Sequence, residues 1–204
     1  MIENTHMNPI DMAQYYGKIL TGNYSQELKD KTAHYLERLQ ILDEIEVPAI
    51  IYLAAWQGSD KTIWYEFVSK QFCRLMECAP HETSGAFRNS VIDRREYDYG
   101  TDEANVRKKV VDKKELSGSR KKIRRETGEK GNTEAVYKLL FEKGRAVWLK
   151  DQAAIESFPE DKIHLSLGCM TLVTKEMEAA EDKERMVDKL RQILSETRAA
   201  TYKE

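Results

Sequence analysis

The chain has 204 residues with 33 Lys or Arg, 35 Asp or Glu and a formal net charge of −2, which excludes a globally basic nucleic-acid binder. Hydrophobic residues make up 41% and charged residues 33%: enough apolar material for one core, with part of the chain left as solvated helix or loop. The longest apolar runs, Val47–Trp56 and Leu165–Val173, are shorter than the roughly 20 residues of a membrane span.

Residues 1–46 are expected to form a helical extension. Asn8 can cap and Pro9 suits a first helical position, with Met12, Tyr16, Ile19 and Leu20 on one face and Gly22-Asn23 as a stop. A second helix is predicted from a Ser25 cap to Glu46, with Leu28, Tyr35 and Leu42 seven apart and Leu39 between. From Pro48 the period changes. Ala49–Trp56, a turn at Gln57-Gly58-Ser59-Asp60, and Thr62–Val68 read as a β-hairpin. Ser69–Met76 reads as a short helix and Pro80–Gly85 as loop. Residues 103–132 form a basic insertion: from Asn105 to Asn132 there are eleven Lys or Arg against four Asp or Glu. They read as a solvated excursion outside the core, or else as a contact for nucleic acid or another anionic partner.

Strand character returns in Ala135–Phe141, Arg145–Phe158 and Ile163–Val173, a meander whose first turn is Glu142-Lys143-Gly144. A long charged helix follows Thr174 to about Arg198, with Ala179, Met186 and Ile193 seven apart. It reads equally as a coiled-coil strand and as a solvated helix. Met1–Asp11 lacks a basic-then-apolar signature, so no export signal is expected. Three cysteines, Cys73, Cys78 and Cys169, fit a reducing cytoplasmic compartment without a disulfide framework.

No P-loop, dinucleotide, nucleophile-elbow or zincin motif is present in the sequence, and the four histidines, His6, His34, His81 and His164, are scattered. Tyr65, Phe67, Phe72, Met76, Tyr137, Leu139, Trp148 and Cys169 are apolar strand and helix positions that either fill the core or line a ligand pocket, with His81 and His164 at its margin. Asp151 with His164, on neighbouring strands, is the alternative: an acid–base pair of a small open-sheet hydrolase or isomerase.

Several stretches resemble the PAS family of sensory domains. Ile50-Ile51-Tyr52-Leu53, Gly58 and Ile63-Trp64-Tyr65 are similar to its opening hairpin. Phe72-Cys73-Arg74-Leu75 is similar to the following helix, and Ile92-Asp93-Arg94-Arg95-Glu96 to the acidic element before a connecting helix. Val136-Tyr137-Lys138-Leu139, Lys143-Gly144-Arg145-Ala146-Val147-Trp148-Leu149 and Leu167–Thr174 resemble its C-terminal signature, with Leu172 where the family has an aspartate. The resemblance covers about residues 45–178.

It implies an α+β fold: a five-stranded antiparallel sheet with short helices on one face over 47–174, flanked by the N-terminal extension and a signalling helix over 175–204. It further implies a cytoplasmic, non-enzymatic sensory or interaction module that binds a small ligand or partner. Thr174 would cap the output helix, and the terminal helices would cover the outer sheet face or form a homodimer. The effector would be of the histidine kinase or diguanylate cyclase kind, or the chain a free-standing regulator. Haem would need an axial histidine, for which only His81 is placed. Flavin photochemistry would need more than the Cys73-Arg74 echo, so the cofactor is left open.

Overall fold

The computed structural model describes residues 15–58, 62–99, 106–112, 114–116, 129 and 131–201. The described residues divide into two compact units, one ending at Leu172 and the other beginning at Val173. The first is an α+β unit around a seven-stranded antiparallel sheet. The second is the helix Thr174–Thr201.

The elements of the first unit, in chain order, are α1 (Gln26–Glu44), β1 (Ile50–Gln57), β2 (Ile63–Val68), α2 (Lys70–Met76), a 3-10 turn (Pro80–Glu82), α3 (Thr83–Ser90), β3 (Val91–Tyr99), β4 (Val106–Asp112), β5 (Asn132–Leu140), β6 (Ala146–Phe158) and β7 (Ile163–Leu172). We label the second unit's helix α4. The sheet order is β2-β1-β7-β6-β5-β3-β4. The first hairpin and the meander therefore close on one another, with Tyr52 opposite Gly168 and Gln57 opposite Ile163.

Local chemistry accounts for most boundaries. The Ser25 hydroxyl accepts from the Leu28 amide and begins α1; the Ser69 side chain accepts from the Phe72 amide and begins α2. Ser25 is itself held by Asp161, through its amide at 2.8 Å, which ties the helix start to the β6–β7 turn.

Strand alternation gives the sheet two faces. On the inner face, Ile50, Tyr52, Ala54, Leu139, Val147, Leu149 and Met170 pack with Phe72 and Met76 of α2 and with Phe87 of α3. On the outer face, Ile51, Leu53, Ala55, Ile163 and Leu165 pack with Leu28, Leu36 and Leu39 of α1. That buried stripe of α1 differs from the expected one: Leu42 is 38% exposed and Ile45 66%. The helix leaves the sheet before its last turn.

Four expectations need correction. Tyr15–Asn23, expected as the end of the first helix, is turn and coil; Asn8, Pro9 and Met12 lie outside the described residues. The cause is Glu66 on β2, whose buried carboxylate accepts from the Lys18 and Ile19 amides at 3.1–3.3 Å and from the Tyr15 hydroxyl and Trp64 indole. Backbone amides spent on a carboxylate are not available to a helix. Gly17 leaves room for it, since a Cβ there would lie 2.1 Å from Glu66 Oε2.

Pro80–Gly85, expected as loop, is a 3-10 turn followed by the start of α3. Ile92–Glu96, expected before a connecting helix, lies in strand β3, and the next described element is strand β4. The basic insertion, expected outside the core, contributes strand β4, and Val111 and Leu116 are buried in the inner-face cluster. β3 and β4 run antiparallel in a register that sets Arg94 opposite Val111 and Glu96 opposite Lys109. These strands bring the sheet to seven instead of five. Among the described residues no helix is long and apolar enough to cross a membrane.

Candidate functional site

The inner face holds a polar centre inside an aromatic wall. Tyr52 leaves β1 and lies across β7 to donate its hydroxyl to Asp151 Oδ1 on β6 at 2.8 Å. The crossing depends on Gly168, where a Cβ would sit 2.3 Å from Tyr52 Cζ. From Tyr52 a chain of edge-to-face contacts runs through Tyr65 on β2, Phe72 on α2 and Phe87 on α3 to Tyr137 on β5, with ring centroids 5.4–5.7 Å apart. Arg94 on β3 closes the far end. It donates from Nε to the Tyr137 hydroxyl at 3.3 Å, stands over that ring at 5.7 Å and pairs with Glu96.

Asp151 is 5% exposed. Burial raises its pKa from the ordinary 3.8 to about 7, against the opposing pull of the Tyr52 hydrogen bond and the Arg94 charge. Burial, then the charge of Asp151, pushes the Tyr52 and Tyr65 hydroxyls up, so both stay protonated. The arrangement can accept or release a proton at Asp151 near neutrality. It can also offer that carboxyl to a hydrogen-bond donor or cation among aromatic rings.

The sequence-derived pocket residues divide between environments. Tyr65, Phe72, Met76, Tyr137 and Leu139 meet in the inner cluster. Phe67 and Cys169 pack instead in the outer cluster under α1. For Phe67 the cause is a bulge: Leu53 pairs with Phe67 and Ala54 with Tyr65, so Glu66 is an extra residue and Tyr65 and Phe67 face opposite ways. Trp148, next to inward Val147 and Leu149, points outward between Arg95 at 4.0 Å and Lys138 at 4.7 Å. His81 is exposed on the 3-10 turn. Thr174 is the first residue of α4, and the first helical hydrogen bond runs from Met177 to Val173, one residue before the expected cap.

His164 stands at the other end of the inner face, stacked on Trp56 at 5.2 Å, with its Nδ1 2.8 Å from Ser157 Oγ. Asp151 and His164 do not meet. Asp151 pairs with Met170 and His164 with Ser157, six residues further along β6, which is about 20 Å at about 3.3 Å per residue. The alternative acid–base pair is therefore corrected.

Sequence reasoning missed Tyr52, Arg94 and Phe87 as members of the site. The available signal was Gly168 facing Tyr52 across the expected β1–β7 pairing. Phe87 lies two residues after the stretch read as loop. Among the described residues no three His, Cys, Asp or Glu side chains cluster as metal ligands do.

No family model and no curated protein matches the chain. Among solved structures it is similar to a light-oxygen-voltage domain (17% identity over 74% of this chain and 96% of that one, TM-score 0.43). It is also similar to the PAS domain of a protein from Colwellia psychrerythraea (13% identity, 70% and 98%, TM-score 0.42). A third is the N-terminal domain of a diguanylate cyclase with PAS/PAC sensor from Marinobacter aquaeolei (15% identity, 61% and 98%, TM-score 0.36). The α+β assignment rests on the strand order and register themselves.

Proposed function

We propose that the chain is a PAS-type sensory and interaction module of signal transduction, cytoplasmic and without catalytic activity of its own. The observation that carries the reading is the inner face: a first hairpin closed onto a C-terminal meander, roofed by α2 and α3, around one buried carboxylate walled by Tyr52, Tyr65, Phe72, Phe87 and Tyr137. Burial raises the Asp151 pKa in spite of the Tyr52 hydrogen bond and the Arg94 charge, so the group opposes stability, which supports a role in recognition over one in packing.

In this reading residues 47–174 form the sensory domain. A small ligand or partner engages the inner face at Tyr65, Phe72, Met76, Tyr137 and Leu139 together with Asp151. Residues 1–46 form an extension that packs or dimerises. Residues 175–204, entered through Thr174, pass the change to an effector such as a histidine kinase or diguanylate cyclase. Met186, Leu190 and Ile193 of α4 are 54–67% exposed and recur at seam spacing, which suits a homodimer through the terminal helices. Signalling requires the ligand to bind two packings of the sheet and its helices with different affinity.

The test is the absorbance spectrum and native mass of protein purified from its own cell. A bound small molecule or a dimeric mass is expected, with the bound molecule lost in Asp151→Asn. A monomer carrying nothing overturns the proposal.

A further inference from the structure

The end of α2 carries a feature that the sensory reading does not use. The helix stops at Met76, and Glu77 adopts the left-handed conformation with φ 53°. This turns the chain so that the Cys78 amide donates back to the Cys73 carbonyl at 3.3 Å, while the Glu77 amide donates to the same oxygen. A closure of this kind sets the residue after the left-handed one against the residue five earlier, and a side-chain contact between the two commonly accompanies it. Here both residues are cysteine.

A third group fixes where the Cys78 thiol lies. The Thr83 hydroxyl, fully buried at the start of α3, donates to the Ala79 carbonyl at 3.2 Å. Its oxygen is therefore left to accept from a thiol. It stands 3.7 Å from Cys78 Sγ. Both cysteines are free, half-buried, and packed on the rim of the inner-face cluster. A disulfide needs its two α-carbons within about 7 Å, and the Cys78-to-Cys73 backbone hydrogen bond is the approach that brings two residues five apart close to one another. Cys169 lies in the outer-face cluster and belongs to neither contact.

We propose that Cys73 and Cys78 form a redox site that a peroxide closes into an intramolecular disulfide across the α2 cap. One thiol loses its proton, its thiolate attacks the peroxide to form a sulfenic acid, and the departing hydroxide takes up that proton and leaves as water. The second thiol then displaces water from that sulfur. In sum, two thiols and one hydrogen peroxide give one disulfide and two waters, and a dithiol reductant reverses the change. The cross-link removes the Cys78 thiol hydrogen bond to Thr83 and fixes Glu77 in its left-handed conformation. It also joins the last turn of α2 to the segment entering α3, whose Phe87 meets Phe72 with centroids 5.7 Å apart. The site is independent of the sensory proposal. Burial raises the Cys73 thiol pKa, so closure should quicken as pH rises.

The experiment uses the full chain, freed of reductant, treated with hydrogen peroxide, alkylated and cut with trypsin. Arg74 lies between the two cysteines, so the cross-link appears as peptide Gln71–Arg74 joined to peptide Leu75–Arg88. The expected result is that joined pair in wild type and in Cys169→Ser, lost on dithiothreitol treatment and absent in Cys78→Ser. Recovery of Cys73 and Cys78 as alkylated free thiols, oxidation that stops at a sulfinic acid on one of them, or a link to Cys169 overturns the proposal.

Discussion

The two faces of the sheet are both apolar, yet they handle polar groups in opposite ways. Under α1 the contact is almost wholly hydrocarbon: Leu28, Leu36 and Leu39 against Ile51, Leu53, Ile163 and Leu165. Two polar ties, Ser25 to Asp161 and Lys31 to Glu156, lie on the rim, and the buried acid beside this face, Glu66, is held by the Tyr15, Lys18, Ile19 and Trp64 donors. Under α2 and α3 a carboxylate and a guanidinium, Asp151 and Arg94, are buried among aromatic rings. Both faces thus hold a buried carboxylate, but Glu66 is met by four donors, whereas Asp151 receives the Tyr52 hydroxyl and its burial still raises its pKa, an electrostatic penalty that packing does not require.

The sharpest test of this contrast is Gly168→Val. The new side chain would occupy the space of the Tyr52 ring and break its hydrogen bond to Asp151. Overpacking and a stranded buried acid together should cost about 3 kcal/mol or more, read as a lower urea midpoint. An unchanged midpoint would mean that Tyr52 does not cross β7. On the outer face Leu36→Ala should cost about 2–5 kcal/mol by opening a cavity, with the same loss at pH 5 and pH 8.

Asp151→Asn distinguishes the faces by pH. The folded state holds the Asp151 proton up to about pH 7, whereas the unfolded chain releases it near the ordinary 3.8. Between those values the native state binds more protons, so stability falls as pH rises and levels off above about 7. The full span is of the order of 4 kcal/mol. Asparagine keeps an acceptor for Tyr52 but does not titrate. Relative to wild type, the variant should therefore gain stability steadily from pH 4 to pH 7 in urea melts; parallel curves would refute the buried titration. The smallest effect belongs to Glu66→Gln, about 1–3 kcal/mol, because an amide nitrogen cannot accept the hydrogen bonds that a carboxylate oxygen does. Amide exchange at Lys18 and Ile19 should quicken, while that of β6 stays protected.

Much of the fold was legible because local rules and tertiary structure agreed. Ser25 and Ser69 cap where their positions before apolar helices indicate, and the hairpin and meander follow runs of apolar and β-branched residues. β3 and β4 were illegible because their residues are mostly charged, which reads in one dimension as a solvated, basic segment, while the pairing is made by backbone. The site was half legible. Tyr65, Phe72, Met76, Tyr137 and Leu139 are where apolar patterning puts them, but the Glu66 bulge turned Phe67 away. Either alternation of β7 is apolar enough to face inward, so Cys169 was assigned to the wrong face.

What the sequence determined by itself was the set of elements whose signals are local: caps, turns, and apolar runs of strand or helix length, since each depends on residues within a few positions of one another. Only the tertiary structure decided which face each strand presents, that Tyr52 lies over Gly168 to reach Asp151, and that Asp151 and His164 stand far apart. Those outcomes depend on register and on a single bulged residue. A shift of one position in a strand reverses every side chain beyond it.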